Sequence, residues 1–280
     1  MCELFAMSSR HPATVRLSLE EFARHGGLAG PHKDGWGIAF YDGLDVRIIR
    51  EAEPAAHSAC ARLLRERGPG SPYVLSHIRR ATQGAATLAN TQPFARELAG
   101  RMHVFAHNGH LEPAPALPGD RSRSFRPVGD TDSERAFCAL LERLRAPWLA
   151  ADAVPALEER LAVVSAFARQ LRALGPANFL YCDGDALFAH GHRRTHPDGV
   201  RPPGLHVLCR TCAAQHGPFE AGGLTIEPGA DRQEVVLVAS VPLTASEAWR
   251  PLEEGEVLFA RGGRIVAKAS PGTADRRHRA

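Results

Sequence analysis

Cys2 directly follows the initiator methionine and is the first candidate for chemistry in this sequence. Methionine aminopeptidase commonly removes Met1 when a small residue such as cysteine follows it. The thiol of Cys2 would then share its Cα with a free α-amino group. Such an amine has a pKa of about 7.7–8.0, so a part of it is neutral at pH 7 and could accept the thiol proton. Position alone favours a small apolar residue that merely opens a strand.

A second candidate is the polar stretch 76–84, in which two adjacent arginines follow an apolar run. On a strand, Arg79 and Arg80 would point to opposite faces. One guanidinium group could then bind a substrate carboxylate through two hydrogen bonds, while the other faces solvent or an acidic side chain. A pair of structural arginines in ion pairs is the alternative.

Polar residues at the ends of two further predicted elements could complete a site. Asn108 and Gly109 follow an apolar run, where a side-chain amide and a backbone N–H can converge on a developing oxyanion. A plain Asn-Gly turn is the alternative. Asp132 lies in the first turn of a predicted helix, where it could bind a substrate ammonium group or only interact with the helix dipole. Asp130 competes with Asp132 for the first role.

Four histidines and cysteines close together raise the question of a metal site. Tetrahedral zinc accepts ligands of these types, which are His206, Cys209, Cys212 and His216. The start of this stretch also has a strand pattern, in which successive side chains diverge. We therefore favour cysteines that pack in the protein, and the sequence predicts neither a metal nor another cofactor.

These residues must be positioned by the elements around them, and strand signals dominate both ends of the chain. Asp42-Gly43 and Asp183-Gly184 are hairpin signals between apolar runs. Two helices between the strand-rich ends are predicted from apolar residues at i, i+3 and i+4, at 131–145 and 156–174. This order predicts an α+β fold in which helices pack on antiparallel sheets.

The predicted elements and loops follow from the same patterns. We predict strands at 2–7, 36–41, 46–49, 73–78, 102–106, 178–182, 186–189, 234–241, 256–260 and 264–267. Two shorter helices are predicted at 18–25 and 57–67. Two loops rich in Pro, Gly and Arg are predicted at 112–128 and 192–203.

Composition excludes several classes of protein. A chain of 280 residues with 44% hydrophobic and 23% charged residues is typical of a soluble globular protein of one or two domains. No apolar run approaches the roughly 20 residues of a membrane span, and the N-terminus has no secretory pattern. The net charge is +3, and the basic residues are scattered along the chain. We therefore expect a cytoplasmic protein with free cysteines that binds neither a membrane nor nucleic acid.

Together, the candidate residues resemble the class II glutamine amidotransferases, and within them the small stand-alone, YafJ-like members. The resemblance extends from residue 1 to about residue 249. The landmarks occur in the order expected for that family: Met1-Cys2, Asp34-Gly35-Trp36-Gly37, Ser76-His77-Ile78-Arg79 with Ala81-Thr82 and Gly84, Asn90-Thr91-Gln92-Pro93-Phe94, His107-Asn108-Gly109 and Asp132-Ser133-Glu134.

The resemblance implies a fold, a reaction and a set of residue roles. The fold is a four-layer αββα sandwich of two antiparallel sheets, as in N-terminal nucleophile hydrolases. The reaction is hydrolysis of the glutamine side-chain amide through a thioester on the cysteine, whose own amine acts as the base. The implied roles are Cys2 as nucleophile, Asn108 and the Gly109 N–H as oxyanion hole, Arg79 for the α-carboxylate, Asp132 for the α-ammonium, and Thr82 with the Gly109 backbone for substrate placement.

The resemblance also divides the chain. We predict an amidotransferase domain at 2–250, a terminal hairpin at 251–270 that completes it, and a disordered tail at 271–280. About 30 residues after residue 249 are too few for a synthase domain. The ammonia would therefore pass to a synthase in another chain, unless the protein is a free-standing hydrolase. A homodimer is compatible with either arrangement.

Two alternatives to glutamine hydrolysis stay open. One is a γ-glutamyl amidohydrolase that acts on a γ-glutamyl conjugate, like the enzyme of ergothioneine biosynthesis. The other is a regulatory module without catalysis. Arg80 and Gln83 stand where many family members have an aromatic residue and a histidine, so the shape of the glutamine pocket does not follow from the resemblance.

Overall fold

The computed structural model describes residues 2–15, 33–81, 84–112, 124–212, 219–221, 224–226 and 232–270. Within this part of the chain, most strands join two antiparallel sheets. Several predicted features lie outside the described residues: the helix at 18–25, Thr82, Gln83, His216 and the tail at 271–280.

The first sheet has seven strands and contains the N-terminal strand. Its members are β1 (Glu3–Thr14), β2 (Trp36–Asp42), β3 (Asp45–Glu51), β4 (Gly70–Ile78), β11 (His206–Cys212), β14 (Gln233–Ala239) and β15 (Arg250–Pro251). Their order is β15-β11-β14-β1-β4-β2-β3. β1 is therefore central, and it pairs with β14 on one side and with β4 on the other.

The second sheet has six strands in the order β17-β16-β8-β7-β6-β5. They are β5 (Phe94–Leu98), β6 (Arg101–Gly109), β7 (Ala177–Cys182), β8 (Leu187–His190), β16 (Val257–Arg261) and β17 (Arg264–Ala269). The predicted C-terminal pair of strands is present as β16 and β17, and β16 joins β8. Two small hairpins stand apart, β9 (Arg194–His196) with β10 (Gly199–Arg201) and β12 (Phe219–Ala221) with β13 (Leu224–Ile226).

Helices cover the outer faces of both sheets. They are α1 (Ala59–Arg67), α2 (Asp132–Ala150) and α3 (Leu157–Arg172), with single 3₁₀ turns at Ala55–His57 and Leu88–Asn90. α1 packs Ala61 and Leu64 against the outer face of the first sheet. α2 and α3 pack buried Phe137 and Phe167 against the second sheet. Apolar side chains of both sheets fill the space between them, which completes the predicted αββα sandwich.

The alternation of side chains along β6 decides which residues meet the site. Val104 and Ala106 belong to the core between the sheets, whereas the ring of Phe105 stacks on Phe137 of α2, 5.4 Å away. Successive strand residues point to opposite faces. The side chain of Asn108 therefore points to the first sheet and that of His107 to α2.

The helix that carries Asp132 begins as predicted and ends later. Thr131 accepts a hydrogen bond from the Glu134 backbone N–H at 3.2 Å and so caps the helix at its predicted start. The predicted end at residue 145 is wrong, because α2 continues through Pro147 to Ala150. Trp148 in this last turn is 1% exposed, so its burial favours the longer helix.

The predicted loop at 192–203 is also wrong, because it contains the hairpin of β9 and β10. Most side chains of this hairpin are exposed or half-buried, so the sequence has no apolar alternation there. The short edge strand β5 likewise had no clear signal.

No helix in the described part of the chain combines the length and apolar character that a membrane crossing requires.

Candidate active site

Cys2 precedes β1 and meets the ends of two strands from different sheets. The register of β1 and β4 pairs Glu3 with Ile78, which brings Cys2 beside the two arginines. The Arg80 backbone N–H donates to the Cys2 Sγ at 3.2 Å, and the thiol donates to the Arg80 carbonyl oxygen at 3.3 Å. From β6, the Asn108 side-chain amide donates to the Cys2 carbonyl oxygen at 2.5 Å. Residues far apart in the chain thus meet at the half-buried thiol.

Opposing effects act on the thiol. Burial raises the pKa of the Cys2 thiol, while the hydrogen bond from the Arg80 backbone and the positive charge of Arg79 lower this pKa and Asp132 raises it. Arg79 and Asp132 are therefore both close enough to act on the thiol electrostatically. Because the net direction is upward from an already high value, the thiol is protonated at neutral pH and needs a base before it can attack.

Arg79 is buried beside Cys2 and is fixed by backbone carbonyl groups. Its side chain is 3% exposed. Nη1 donates to the carbonyl oxygens of Ala85 at 2.9 Å and of Asp34 at 3.3 Å, and Nη2 donates to that of Gly84 at 2.9 Å. Arg80, in contrast, is exposed. The two arginines therefore differ in environment, as the sequence predicted for adjacent residues.

Asn90 connects the loop at Arg79 to the segment before α2. Its Nδ2 donates to the Ala85 carbonyl oxygen at 3.1 Å, and its Oδ1 accepts from the Asp130 backbone N–H at 3.0 Å. Asn90 is 4% exposed. The sequence contained this residue in a family landmark without a role, and its contacts show that it links the loop at Arg79 to the segment before α2.

Asp132 is the first residue of α2 and is held by a short chain of hydrogen bonds. Its Oδ2 accepts from the Leu111 backbone N–H at 2.8 Å, and its Oδ1 accepts from the Ser133 backbone N–H at 2.7 Å. The Ser133 hydroxyl also donates to Oδ1, at 3.2 Å. The competitor Asp130 is exposed, whereas Asp132 is half-buried and its charge raises the pKa of the Cys2 thiol. The geometry thus favours Asp132 over Asp130 as the carboxylate near the thiol.

His107 supports this carboxylate from behind. Its Nδ1 lies 2.9 Å from the Ser133 hydroxyl oxygen. Since that hydroxyl donates its proton to Asp132, Nδ1 of His107 must carry a proton and donate to Ser133. Burial lowers the pKa of His107, so the ring is neutral and its buried Nε2 carries a lone pair. No local pattern in the sequence indicates this contact, because His107 and Ser133 lie on different elements.

Asn108 and Gly109 close β6, so the alternative of a plain Asn-Gly turn does not hold here. Gly109 still pairs with Ala177 of β7. A Cβ on Gly109 would lie 1.8 Å from the Pro176 carbonyl oxygen, so close packing rather than a turn requires glycine. Asn108 is 1% exposed, and its Oδ1 has no hydrogen-bond partner among the described residues. Of its two amide N–H groups, one donates to Cys2 and a second remains for another acceptor.

Gln92 shows which way the backbone of β6 faces. Its Oε1 accepts from the His107 backbone N–H at 2.6 Å, and its Nε2 donates to the His107 carbonyl oxygen at 3.1 Å. These bonds point away from β7. Backbone groups two residues apart on a strand point to the same side, so the Gly109 N–H also points away from β7.

The candidate zinc ligands do not converge in the described part of the chain. His206 and Cys209 lie three residues apart on β11, so their side chains point to opposite faces of the sheet. No three His, Cys, Asp or Glu side chains among the described residues form a group that could hold a metal.

Comparison with known proteins identifies relatives over almost the whole chain. The family of class II glutamine amidotransferases matches residues 1–280. YafJ of Escherichia coli (strain K12), a candidate glutamine amidotransferase by name, is 36% identical over 271 residues, which cover 95% of this chain and 100% of YafJ. Both ends of the site, Cys2 and Asp132, lie within the family match.

Solved structures agree with the observed fold. A predicted glutamine amidotransferase from Pseudomonas aeruginosa PA01 superposes with a TM-score of 0.68 at 34% identity and covers 95% of this chain and 100% of that one. Glutamine phosphoribosylpyrophosphate amidotransferase from Bacillus subtilis has a TM-score of 0.56 at 17% identity, over 96% of this chain and 49% of that one. At this lower identity the likeness supports the fold alone.

Proposed function

Because the chain belongs to the class II glutamine amidotransferase family, we propose that it hydrolyses the side-chain amide of glutamine to glutamate and ammonia through a thioester on Cys2. The observation that carries the proposal is the group of contacts at Cys2. An amide donor from Asn108 reaches this residue at 2.5 Å, and the charges of Arg79 and Asp132 act on its thiol. A nucleophile, an oxyanion donor and two opposite charges suit a zwitterionic amino acid with a scissile amide.

Removal of Met1 would supply the missing base. The α-amine of Cys2 then accepts the thiol proton, which burial otherwise holds in place. The thiolate attacks the side-chain carbonyl carbon of glutamine, and the carbonyl oxygen becomes an oxyanion. When the C–N bond breaks, the protonated amine returns its proton to the leaving group, which departs as ammonia. Water then attacks the thioester, releases glutamate and restores the thiol.

The oxyanion would be stabilised by the second amide N–H of Asn108 and by the backbone N–H of Gly109. Two features support this role. The Asn108 amide donates one N–H to the Cys2 carbonyl oxygen and so lies beside the nucleophilic residue, and the Gly109 N–H points away from β7. Donors already fixed before the reaction stabilise developing charge without reorganisation.

Recognition of the amino-acid end would use Arg79 for the α-carboxylate and Asp132 for the α-ammonium, with Thr82 and the Gly109 backbone placing the substrate. The guanidinium of Arg79 is held by the carbonyl groups of Gly84 and Ala85. Binding of a carboxylate there would therefore be coupled to the position of that loop.

The proposal also extends to the domain and its surroundings. Residues 2–250 would form the amidotransferase domain, which 251–270 complete, because β16 lies between β8 and β17 in the second sheet. The nucleophile must stay a free thiol, which fits the reducing cytoplasm. The ammonia would pass to a synthase in another chain, or be released if the protein is a free-standing hydrolase.

A γ-glutamyl conjugate is the second candidate substrate. The observation that favours it is exposed Arg80, whose backbone contacts the Cys2 thiol. A cation next to the nucleophile could bind an anionic leaving group larger than ammonia. Glutamine itself gives this cation nothing to bind on the leaving-group side.

The test is glutamate release from glutamine and from a set of γ-glutamyl compounds, with the unaltered protein and Cys2→Ser. We expect Cys2→Ser to lose nearly all turnover with an unchanged unfolding midpoint, and a diazoketone analogue of glutamine to label Cys2. Cys209→Ser is the matched control, because Cys209 is an exposed thiol.

The outcomes separate the candidates. A higher kcat/KM for a γ-glutamyl conjugate than for glutamine would select the second substrate. Labelling at Cys60, Cys138 or Cys209 instead of Cys2, or full activity of Cys2→Ser, would contradict the nucleophile. A folded, processed protein without turnover on any of these compounds would favour the regulatory module.

A further inference from the structure

Asn178 lies in β7 directly opposite Asn108 and makes three hydrogen bonds to backbone groups. Its Nδ2 donates to the Asn108 carbonyl oxygen at 3.1 Å and to the Arg193 carbonyl oxygen at 2.8 Å. Its Oδ1 accepts from the His192 backbone N–H at 2.7 Å. The side chain is 0% exposed.

These bonds leave the Asn178 amide in one orientation only. Two carbonyl oxygens require the two N–H groups on their side, and one backbone N–H requires the oxygen on the other. Gly204 closes the remaining space, since a Cβ there would lie 1.6 Å from the Asn178 Oδ1. Asn108 differs, because its buried Oδ1 has no partner among the described residues. One asparagine is thus fixed by the fold, and the other keeps hydrogen-bonding capacity next to Cys2.

The bond to the Asn108 carbonyl group acts on the oxyanion donor through a single peptide unit. The Asn108 C=O and the Gly109 N–H belong to one planar peptide bond and point in opposite directions. A donor that holds the C=O on the β7 side holds the N–H on the other side, where Gln92 already meets the His107 N–H. A hydrogen bond to the C=O also polarises the peptide and makes its N–H a stronger donor.

We propose that Asn178 is a positioning residue for the oxyanion hole, which holds and polarises the Asn108–Gly109 peptide unit from the β7 side. The inference rests on the proposed function, because it assigns the Gly109 N–H to an oxyanion. Asn178 itself does not touch the nucleophile. Its loss should therefore slow the chemical step and leave the binding of glutamine almost unchanged.

The first experiment observes the peptide unit without any turnover. Asn108–Gly109 is the only Asn-Gly pair in the sequence. Cell-free protein labelled with [1-¹³C]asparagine and [¹⁵N]glycine therefore gives one correlated amide resonance, which reports both groups of the unit. We compare the unaltered protein with Asn178→Asp, which keeps the volume and the acceptor for His192 but loses both N–H donors. We expect a clear shift of the Asn108 carbonyl carbon and of the Gly109 amide proton.

The second experiment measures the chemical step. We expect Asn178→Asp to lower kcat by about 10–100-fold, less than the roughly 10²–10³-fold cost of deleting an oxyanion donor, with KM within about two-fold. Alkylation of Cys2 by iodoacetamide forms no oxyanion, so its rate should not change. Asn178→Ser is the milder second variant, should the aspartate fail to fold, and should give a smaller loss of kcat.

Tyr181→Phe is the matched control on the same strand. It removes a buried hydrogen bond between the Tyr181 hydroxyl and His103, 2.6 Å long, and should lower stability without changing kcat. An unshifted Gly109 resonance, an unchanged kcat, or a parallel fall of kcat, substrate affinity and alkylation rate would overturn the role of Asn178. A parent protein that releases no glutamate would contradict the proposed function, whereas the resonance would still decide about Asn178.

Discussion

The two ends of β7 use buried polar groups in different ways. Near Cys182, the guanidinium of Arg160 is 2% exposed and donates to Asp183 at 2.7 Å and to Asp185 at 2.8 Å. At the other end, near Asn178, the described contacts of Asp132 are hydrogen bonds from neutral groups. Arg261 also pairs with Asp185, at 2.8 Å, so two arginines balance two carboxylates at the first end. At the second end, the described hydrogen bonds of Asp132 include no cation.

This difference suggests that stability and activity can be separated along one strand. A buried ion pair that loses one partner leaves an uncompensated charge, which destabilises the folded state. A carboxylate held by backbone groups contributes less to folding but can bind a cationic ligand. Changes at the Arg160 end should therefore affect unfolding, and changes at the Asn178 end should affect turnover.

The largest expected effect comes from blocking the α-amine of Cys2, near the Asn178 end of β7. A protein with an uncleavable N-terminal extension has a peptide amide in place of that amine, so the thiol loses its base. A positioned base contributes typically about 10²–10⁴-fold, and we expect a loss of kcat in that range. Steady-state glutamate release by the extended and the processed forms measures the effect.

The same pair of proteins checks that the loss is local. Mass spectrometry must confirm both N-termini, and the urea unfolding midpoints should agree. Equal turnover by the extended form would show that the α-amine is not the base and would contradict the N-terminal nucleophile mechanism.

The next largest effect is a loss of stability at the Arg160 end of β7. Asp183→Ala removes the fully buried partner of Arg160 but leaves Asp185 at 2.8 Å, so we expect the free energy of unfolding to fall by about 3 kcal/mol, the lower end of the range for a broken buried pair. kcat should stay within about two-fold, because Asp183 lies far along β7 from Asn178. Asp42→Ala is the control, since its ion pair with Arg47 is exposed and should contribute at most about 1 kcal/mol.

An unfolding free energy close to that of the unaltered protein would mean that the Arg160 pair does not stabilise this end. A fall in kcat at full folding would show that the two ends of β7 are coupled.

Much of the site could be predicted because its residues lie at the ends of recognisable elements. Cys2 precedes an apolar strand, Asn108 ends another, and Asp132 begins a capped amphipathic helix. Each such end is visible in the local pattern, and the family resemblance joined the ends into one site. The sandwich followed from the order of strands and helices together with that resemblance.

The supporting residues could not be predicted, because their roles depend on contacts across the sheets. Asn178 looks like an ordinary polar residue at a strand start until β7 pairs with β6. The Gln92 side-chain amide bonds both backbone groups of His107, as a neighbouring strand would, and no local pattern in the sequence indicates this. A turn was the alternative explanation for Gly109, but the nearby Pro176 carbonyl oxygen is what requires a glycine there.

A smaller range of effects is expected for the two charges near the thiol. Arg79→Ala and Asp132→Asn each leave one end of a zwitterionic substrate unpaired, at a cost of roughly 2–5 kcal/mol. With about 1.4 kcal/mol for each factor of ten, kcat/KM for glutamine should fall by about 30-fold to several thousand-fold. Initial rates over a range of glutamine concentrations measure this loss.

Neighbouring residues of the same type provide the controls. Arg80→Ala and Asp130→Asn remove the same charges from exposed positions one or two residues away, and we expect much smaller losses of kcat/KM for glutamine. A large loss of kcat/KM in Arg80→Ala with an unaffected Arg79→Ala would show that Arg80, and not Arg79, binds the α-carboxylate. A large loss of kcat/KM in Asp130→Asn would favour Asp130 as the residue that binds the α-ammonium group.

The smallest expected effect is a pH dependence of stability that arises from His103, near the Arg160 end of β7. His103 is buried between Tyr181 and Trp148, and burial lowers its pKa to about 3. The unfolded chain takes up a proton at this histidine below about pH 6.5, whereas the folded protein does not until about pH 3. Stability should therefore be greatest above pH 6.5 and fall with decreasing pH, by roughly 1 kcal/mol per pH unit for this residue.

Urea unfolding at pH 7, 6 and 5 measures the slope. His103→Gln should lower the slope by about this amount, while buried His190, whose pKa is also lowered to about 3, keeps its own contribution. His57→Gln, at an exposed position, is the control. An unchanged slope in His103→Gln would mean that His103 is protonated in the folded protein, and that the Arg160 end of β7 tolerates a charge which its ion pairs do not cancel.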